Sequence, residues 1–66
     1  MKISKFSVEI LLAEKNMTKS EMAKRASLSR QSVNDVLKRG TCEPRTLGKI
    51  AAALEVDVEN LIAKEG

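Results

Sequence analysis

The sequence predicts an all-α fold of five short helices, and three observations carry that expectation. Apolar residues recur at helical spacing in successive short stretches, most cleanly as Leu47, Ile50, Ala51 and Leu54 at i, i+3, i+4 and i+7. Helix start and stop signals fall between those stretches: a capping box at Thr18 to Glu21, a glycine at position 40 and a proline at position 44. Strand signals are poor, because β-branched residues are scattered and no segment alternates cleanly with period two.

The first helix spans about residues 4 to 15. Val8, Leu11 and Leu12 sit at i, i+3 and i+4, and Phe6, Ile10 and Ala13 are expected to widen that apolar face. Asn16 suits a left-handed cap at its end. Helix two starts at the capping box, where the Thr18 hydroxyl accepts from the Glu21 amide and the Glu21 carboxylate reaches back to Thr18. It runs to about Arg25, with Met22, Ala23 and Ala26 inward and Glu21 and Arg25 spaced for a surface pair. Ser29, or less well Ser27, caps helix three. Val33, Val36 and Leu37 face its core, and Gly40 ends it in the position that favours a left-handed residue. Thr41 to Glu43 form a loop, and Pro44 opens helix four. Asp57 caps a short fifth helix carrying Val58, Leu61 and Ile62. No repeat, low-complexity tract or linker interrupts the chain, so one domain over residues 1–66 is expected.

Composition narrows the function. Sixty-six residues bury only roughly 60% of their unfolded surface, near the lower limit for a self-supporting core. Apolar runs such as Ile10 to Ala13 and Ile50 to Leu54 are far short of the ~20 residues of a membrane span, and no secretory signal pattern opens the chain. Histidine is absent and Cys42 is the single cysteine. That excludes histidine acid–base chemistry, Ser/His/Asp triads, zinc sites built on Cys and His, and an internal disulfide. Acidic pairs such as Glu14 and Glu21 read as caps and solvated faces. No enzyme, cofactor, metal site, membrane association or small-molecule ligand is expected, and a reducing cytoplasmic setting fits.

Charge is uneven. Residues 1–40 carry nine basic groups against four acidic ones, a balance of +5; residues 41–66 carry three against five, a balance of −2. A basic first part suits a polyanion. The segment from Thr18 to Arg39 makes this specific. Only Ala26, Ser27 and Leu28 separate helices two and three, and so short a connection forces the large interhelical angle of a helix-turn-helix. With Val33, Val36 and Leu37 inward, Arg30, Gln31, Asn34, Asp35 and Lys38 point outward. Arginine pairs with guanine, glutamine with adenine, and aspartate accepts from cytosine. Ser29, Ser32 and Thr41 are small donors suited to phosphate, and the start of helix two near Thr18 and Lys19 offers amides and a positive dipole end. Three positions keep a second reading: Asp35 pairs with Arg39 four residues on or repels phosphate at wrong sites, and Asn34 and Lys38 are plain surface. Met17 and Met22 read as core filler, and Cys42 as an inert loop thiol.

The chain resembles the phage repressor and Cro family of helix-turn-helix proteins (XRE or Cro/C1 type) from about Val8 to Ile62. Five segments carry the resemblance in order: Met17-Thr18-Lys19-Ser20-Glu21-Met22-Ala23, Leu28-Ser29-Arg30-Gln31-Ser32-Val33, Pro44-Arg45-Thr46-Leu47, Ile50-Ala51-Ala52-Ala53-Leu54 and Val56-Asp57-Val58-Glu59-Asn60-Leu61-Ile62. It implies a lambda-repressor-like five-helix fold whose third helix enters the major groove of double-stranded DNA. It places Ser29, Arg30, Gln31 and Asp35, with Asn34 beside them, at base-reading positions. Lys19, Ser32 and Arg45 match positions that touch the sugar-phosphate backbone; Thr18, Lys38, Arg39 and Thr41 are expected on that side too, and Val58, Glu59 and Ile62 on a two-fold dimer contact. A homodimer on half-sites about one helical turn (~34 Å) apart is the implied assembly.

Four departures from the family pattern stand out. Ser27 replaces the usual turn glycine and is expected to be strained at positive φ. Lys19 replaces a glutamine. An arginine–glutamate pair gives way to Leu12 and Leu37. Cys42 and Glu43 stand where basic residues are common. The function implied is a sequence-specific transcriptional regulator, a repressor of phage or mobile-element type acting by operator occupancy. The alternative is an antitoxin-like component that binds a protein toxin and autoregulates its promoter; a long exposed patch of Ile3, Phe6 and Ile10 on helix one would favour it. The methionine start fits a natural N-terminus, yet the chain is also short enough to be the DNA-binding part of a longer one. Without a separate ligand domain, regulation is expected from concentration, a partner or proteolysis.

Overall fold

The computed structural model describes residues 1–62; the last four residues of the expected single domain, 63–66, lie outside it. Among the described residues the fold is all-helical. Four α-helices follow in order, α1 (Lys5–Glu14), α2 (Lys19–Arg25), α3 (Arg30–Arg39) and α4 (Pro44–Leu54). The expected fifth α-helix is instead a single 3-10 turn, Val58–Leu61. Four residues cannot close enough i→i−4 bonds to hold an α-helix, so the tighter hydrogen-bonding pattern takes over. Asp57 stands at its N-cap in extended backbone, but its side chain makes no capping bond.

Each boundary has a local cause. Ser4 caps α1 by accepting from the Ser7 amide (3.1 Å). Asn16 follows the end of α1 at φ 51°, and the Met17 amide then closes onto the Leu12 carbonyl (2.9 Å). The capping box of α2 is complete: the Glu21 amide donates to Thr18 Oγ1 (3.1 Å) and the Thr18 amide to Glu21 Oε1 (3.4 Å). The Glu21 carboxylate is therefore engaged by Thr18 rather than by Arg25. Gly40 ends α3 at φ 73°, and Pro44 starts α4 where a missing amide costs nothing. Glu55 ends α4 at φ 59°, a left-handed cap that the sequence does not advertise.

One cluster of buried side chains holds these elements. Val8, Met22, Val33, Ile50, Leu54 and Leu61 are each fully buried, and α4 packs against both α2 and the 3-10 turn. Leu12 and Leu37, at the positions of the replaced ion pair, both belong to this core. No polar or charged side chain among the described residues is buried, so none needs a buried partner. One expectation for α1 fails, that Phe6, Ile10 and Ala13 widen its inward face. Phe6 is 72% and Ile10 42% exposed, and Ala13 is exposed as well. They lie across the helix from Val8 and Leu12, and a helix on the edge of so small a core buries only one side.

The N-terminal strap was not foreseen. The Ile3 amide donates to the Gly40 carbonyl (3.0 Å), the Cys42 amide to the Met1 carbonyl (2.9 Å) and the Ser4 amide to the Leu61 carbonyl (2.7 Å). Antiparallel bridges join Lys2 to Thr41 and Ile3 to Ile62. Residues 1–4 thus tie the loop after α3 to the C-terminal turn, and Ile3 is buried beneath them. Among the described residues no helix is long and apolar enough to cross a membrane.

Candidate nucleic-acid interface

The turn between α2 and α3 decides how α3 is displayed. After Arg25 the Ala26, Ser27 and Leu28 amides return to the Met22, Lys24 and Ala23 carbonyls (2.9, 3.2 and 2.9 Å). Three bonds over three residues leave the turn no slack. Ala26 is buried below it, and Ser27 adopts φ 57°, the strained conformation expected of it. Ser27→Gly should relieve about 1–2 kcal/mol of left-handed strain against a glycine entropy cost of roughly 0.5–1 kcal/mol. The expected outcome is a gain of about 0.5–1 kcal/mol in urea unfolding. A loss would mean that the hydroxyl, not the backbone, matters there.

α3 then divides cleanly. Val33 and Leu37 are buried and Val36 is half-buried, whereas Arg30, Gln31, Ser32, Asn34, Asp35, Lys38 and Arg39 are all exposed. The structure therefore brings Arg30, Gln31, Asn34 and Asp35 onto solvent-facing positions of one helix. Ser29 stands at its N-cap with its hydroxyl already in use: it accepts from the Ser32 amide (3.0 Å) and donates to Ser32 Oγ (2.8 Å). What Ser29 retains is acceptor capacity, suited to a base amino group rather than to phosphate. Ser32 keeps its own hydroxyl hydrogen for a phosphate oxygen.

The backbone-contacting candidates are spread over three elements. Thr18 is exposed, but its hydroxyl donates to Glu21 Oε1 (3.2 Å) while accepting the Glu21 amide. With its hydroxyl and its amide both engaged by that carboxylate, Thr18 makes this end poorer in free donors than the spacing implied. Lys19 is half-buried, and a lysine so placed keeps its charged head in water. Thr41 and Arg45 are exposed, the first held by the strap and the second in the first turn of α4.

An open groove of about 360 Å³ runs between α3 and the following loop. Ser32, Asp35 and Arg39 line one wall and Thr41, Cys42 and Glu43 the other. Two carboxylates in this groove oppose phosphate entry, so Arg39 and the Ser32 and Thr41 hydroxyls are its anion-compatible groups. Burial pushes the Cys42 thiol above its usual range, opposed in part by the nearby N-terminal amine. The thiol form dominates at neutral pH, which fits an unreactive cysteine.

Val58 is 39% exposed, Glu59 is exposed and Ile62 half-buried, while Leu61 alone of this segment is fully buried. Glu59 and Ile62 line an open groove with Ser4, the N-cap of α1, and Ser7 in its first turn. Two of the three candidates for a dimer contact, Glu59 and Ile62, therefore lie beside the start of α1, a neighbourhood that helical spacing along the fifth segment did not reveal.

Comparison with curated proteins and with solved structures gave no match. The model of the Cro/C1-type HTH DNA-binding domain matches residues 8–65, which takes in the capping box, the strained turn, the polar face of α3 and the C-terminal turn. With a helix-turn-helix of that geometry inside the matched span, the chain belongs to the Cro/C1-type helix-turn-helix DNA-binding family.

Proposed function

We propose that this DNA-binding regulator is a repressor of phage or mobile-element type, acting in the cytoplasm as a homodimer on a palindromic operator. The observation that carries the reading is the polar face of α3: four residues with base-pairing chemistry stand exposed on a helix whose other side is anchored in the core. Arg30 and Gln31, in the first turn, reach base edges in the major groove, and Asn34 and Asp35 extend the contact by one turn. Ser29 adds an acceptor. Ser32, Lys38, Arg39, Thr41, Lys19 and Arg45 hold the sugar-phosphate backbone, and Thr18 contributes its position more than its hydroxyl. Val58, Glu59 and Ile62 form the two-fold contact, and the bound dimer blocks polymerase.

The testing experiment is selection of bound duplexes from a random pool at near-physiological salt. An enriched palindrome with half-sites about one turn apart is expected. Binding without enrichment that fades steeply as salt rises would reduce the activity to phosphate attraction. Val58→Asp should lower operator affinity and dimer mass together while the helical spectrum is retained; an unchanged sedimenting mass would move the dimer surface elsewhere. The antitoxin alternative gains less from the fold than it needed, because Ile3 is buried and the patch on α1 shrinks to two residues.

A further inference from the structure

We infer that the outer face of α1 is a second self-association surface, on which a second copy of this chain packs antiparallel with Phe6 of each copy against Ile10 of the other. Phe6 is the only aromatic residue in the chain, and at 72% exposure it is spent on nothing inside the fold. Ile10 is one turn further on and 42% exposed, so the two form a single stripe across the helix from buried Val8 and Leu12. A helix that is apolar on both sides is characteristic of one covered on both sides.

Charge says what covers it. Lys5 and Glu9 immediately precede Phe6 and Ile10, are one turn apart, and lie on the same flank of the stripe. An isologous contact must be complementary to itself. With the two-fold axis in the contact, midway along the helix between Phe6 and Ile10, the equivalent flanks of two antiparallel helices lie side by side, so Lys5 of one copy reaches Glu9 of its partner, twice. A flank of one sign would repel its own copy. The contact is small: a phenylalanine presents roughly 200 Å², and two copies of this stripe cover well under the ~1,200 Å² of a stable complex. It therefore joins molecules already concentrated, such as copies bound to neighbouring DNA sites, and does not hold a dimer in dilute solution.

The test uses the chain without DNA and carries Val58→Asp throughout, which separates this face from the dimer contact proposed above. Sedimentation equilibrium over roughly 10 µM to 1 mM, the range of weak association, should show the mean mass rising towards that of two chains. Phe6→Glu should weaken that association at least tenfold with the helical spectrum unchanged, since the side chain is largely solvated already. Lys5→Glu and Glu9→Lys should each weaken it alone, and an equimolar mixture of the two variants should associate more strongly than either. A monomer at all concentrations, indifference to Phe6→Glu, or a mixture no heavier than its components would each overturn the inference. The operator selection reports on DNA reading separately, so either conclusion can fail without the other.

Discussion

Leu54→Ala is expected to remove about 3 kcal/mol of stability. The side chain is fully buried in the last turn of α4, and α4 is the helix that contacts both α2 and the C-terminal turn. Truncation leaves a cavity where these elements meet. A core of this size rarely supplies more than about 3–5 kcal/mol in total, so the variant should be largely unfolded in mild urea. Circular dichroism during urea titration reads this directly. Ile10→Ala, on the exposed side of α1, is the control and should shift the midpoint by less than about 0.5 kcal/mol. If Leu54→Ala cost under about 1 kcal/mol, the neighbouring helices would have to collapse into the space.

Arg30→Ala is expected to weaken operator binding by about 1–3 kcal/mol and relax the preference at one base position. The residue is exposed at the first helical position of α3, where a guanidinium gives two donors to a guanine edge. Folding should be unaffected, because the side chain is not part of the core. Lys38→Ala provides the contrast: a phosphate contact weakens binding to all sequences alike and lowers the salt slope by about 1. Binding curves on the selected operator and on a single-base variant, at two salt concentrations, separate the two behaviours. An unchanged base preference in Arg30→Ala would remove Arg30 from the reading set.

Much of this was legible in the residues because it is local. The capping box at Thr18, the cap at Ser29, the left-handed Asn16 and Gly40, the proline start of α4 and the strained Ser27 all depend on a few neighbouring residues. The inward stripes of α3 and α4 were equally plain, since both helices carry one apolar side and one polar side. α1 misled because both of its sides are apolar, and periodicity alone does not say which side meets the core. The 3-10 turn at Val58–Leu61 misled because three apolar residues fit either helix type, and length, not pattern, chooses between them.

The order of helices, their caps and the polar face of α3 follow from short-range chemistry, and the chain's own residues are enough to specify them. Two features required the folded molecule. The strap of residues 1–4 pairs with Gly40 to Cys42 and with Leu61 and Ile62, contacts some forty to sixty positions away that carry no alternating signature. Phe6 and Ile10 face solvent because the small core is filled by Val8 and Leu12 on the other side of the same helix. Each depends on which surfaces meet when the helices pack, and that competition for a limited core is settled by the whole chain at once.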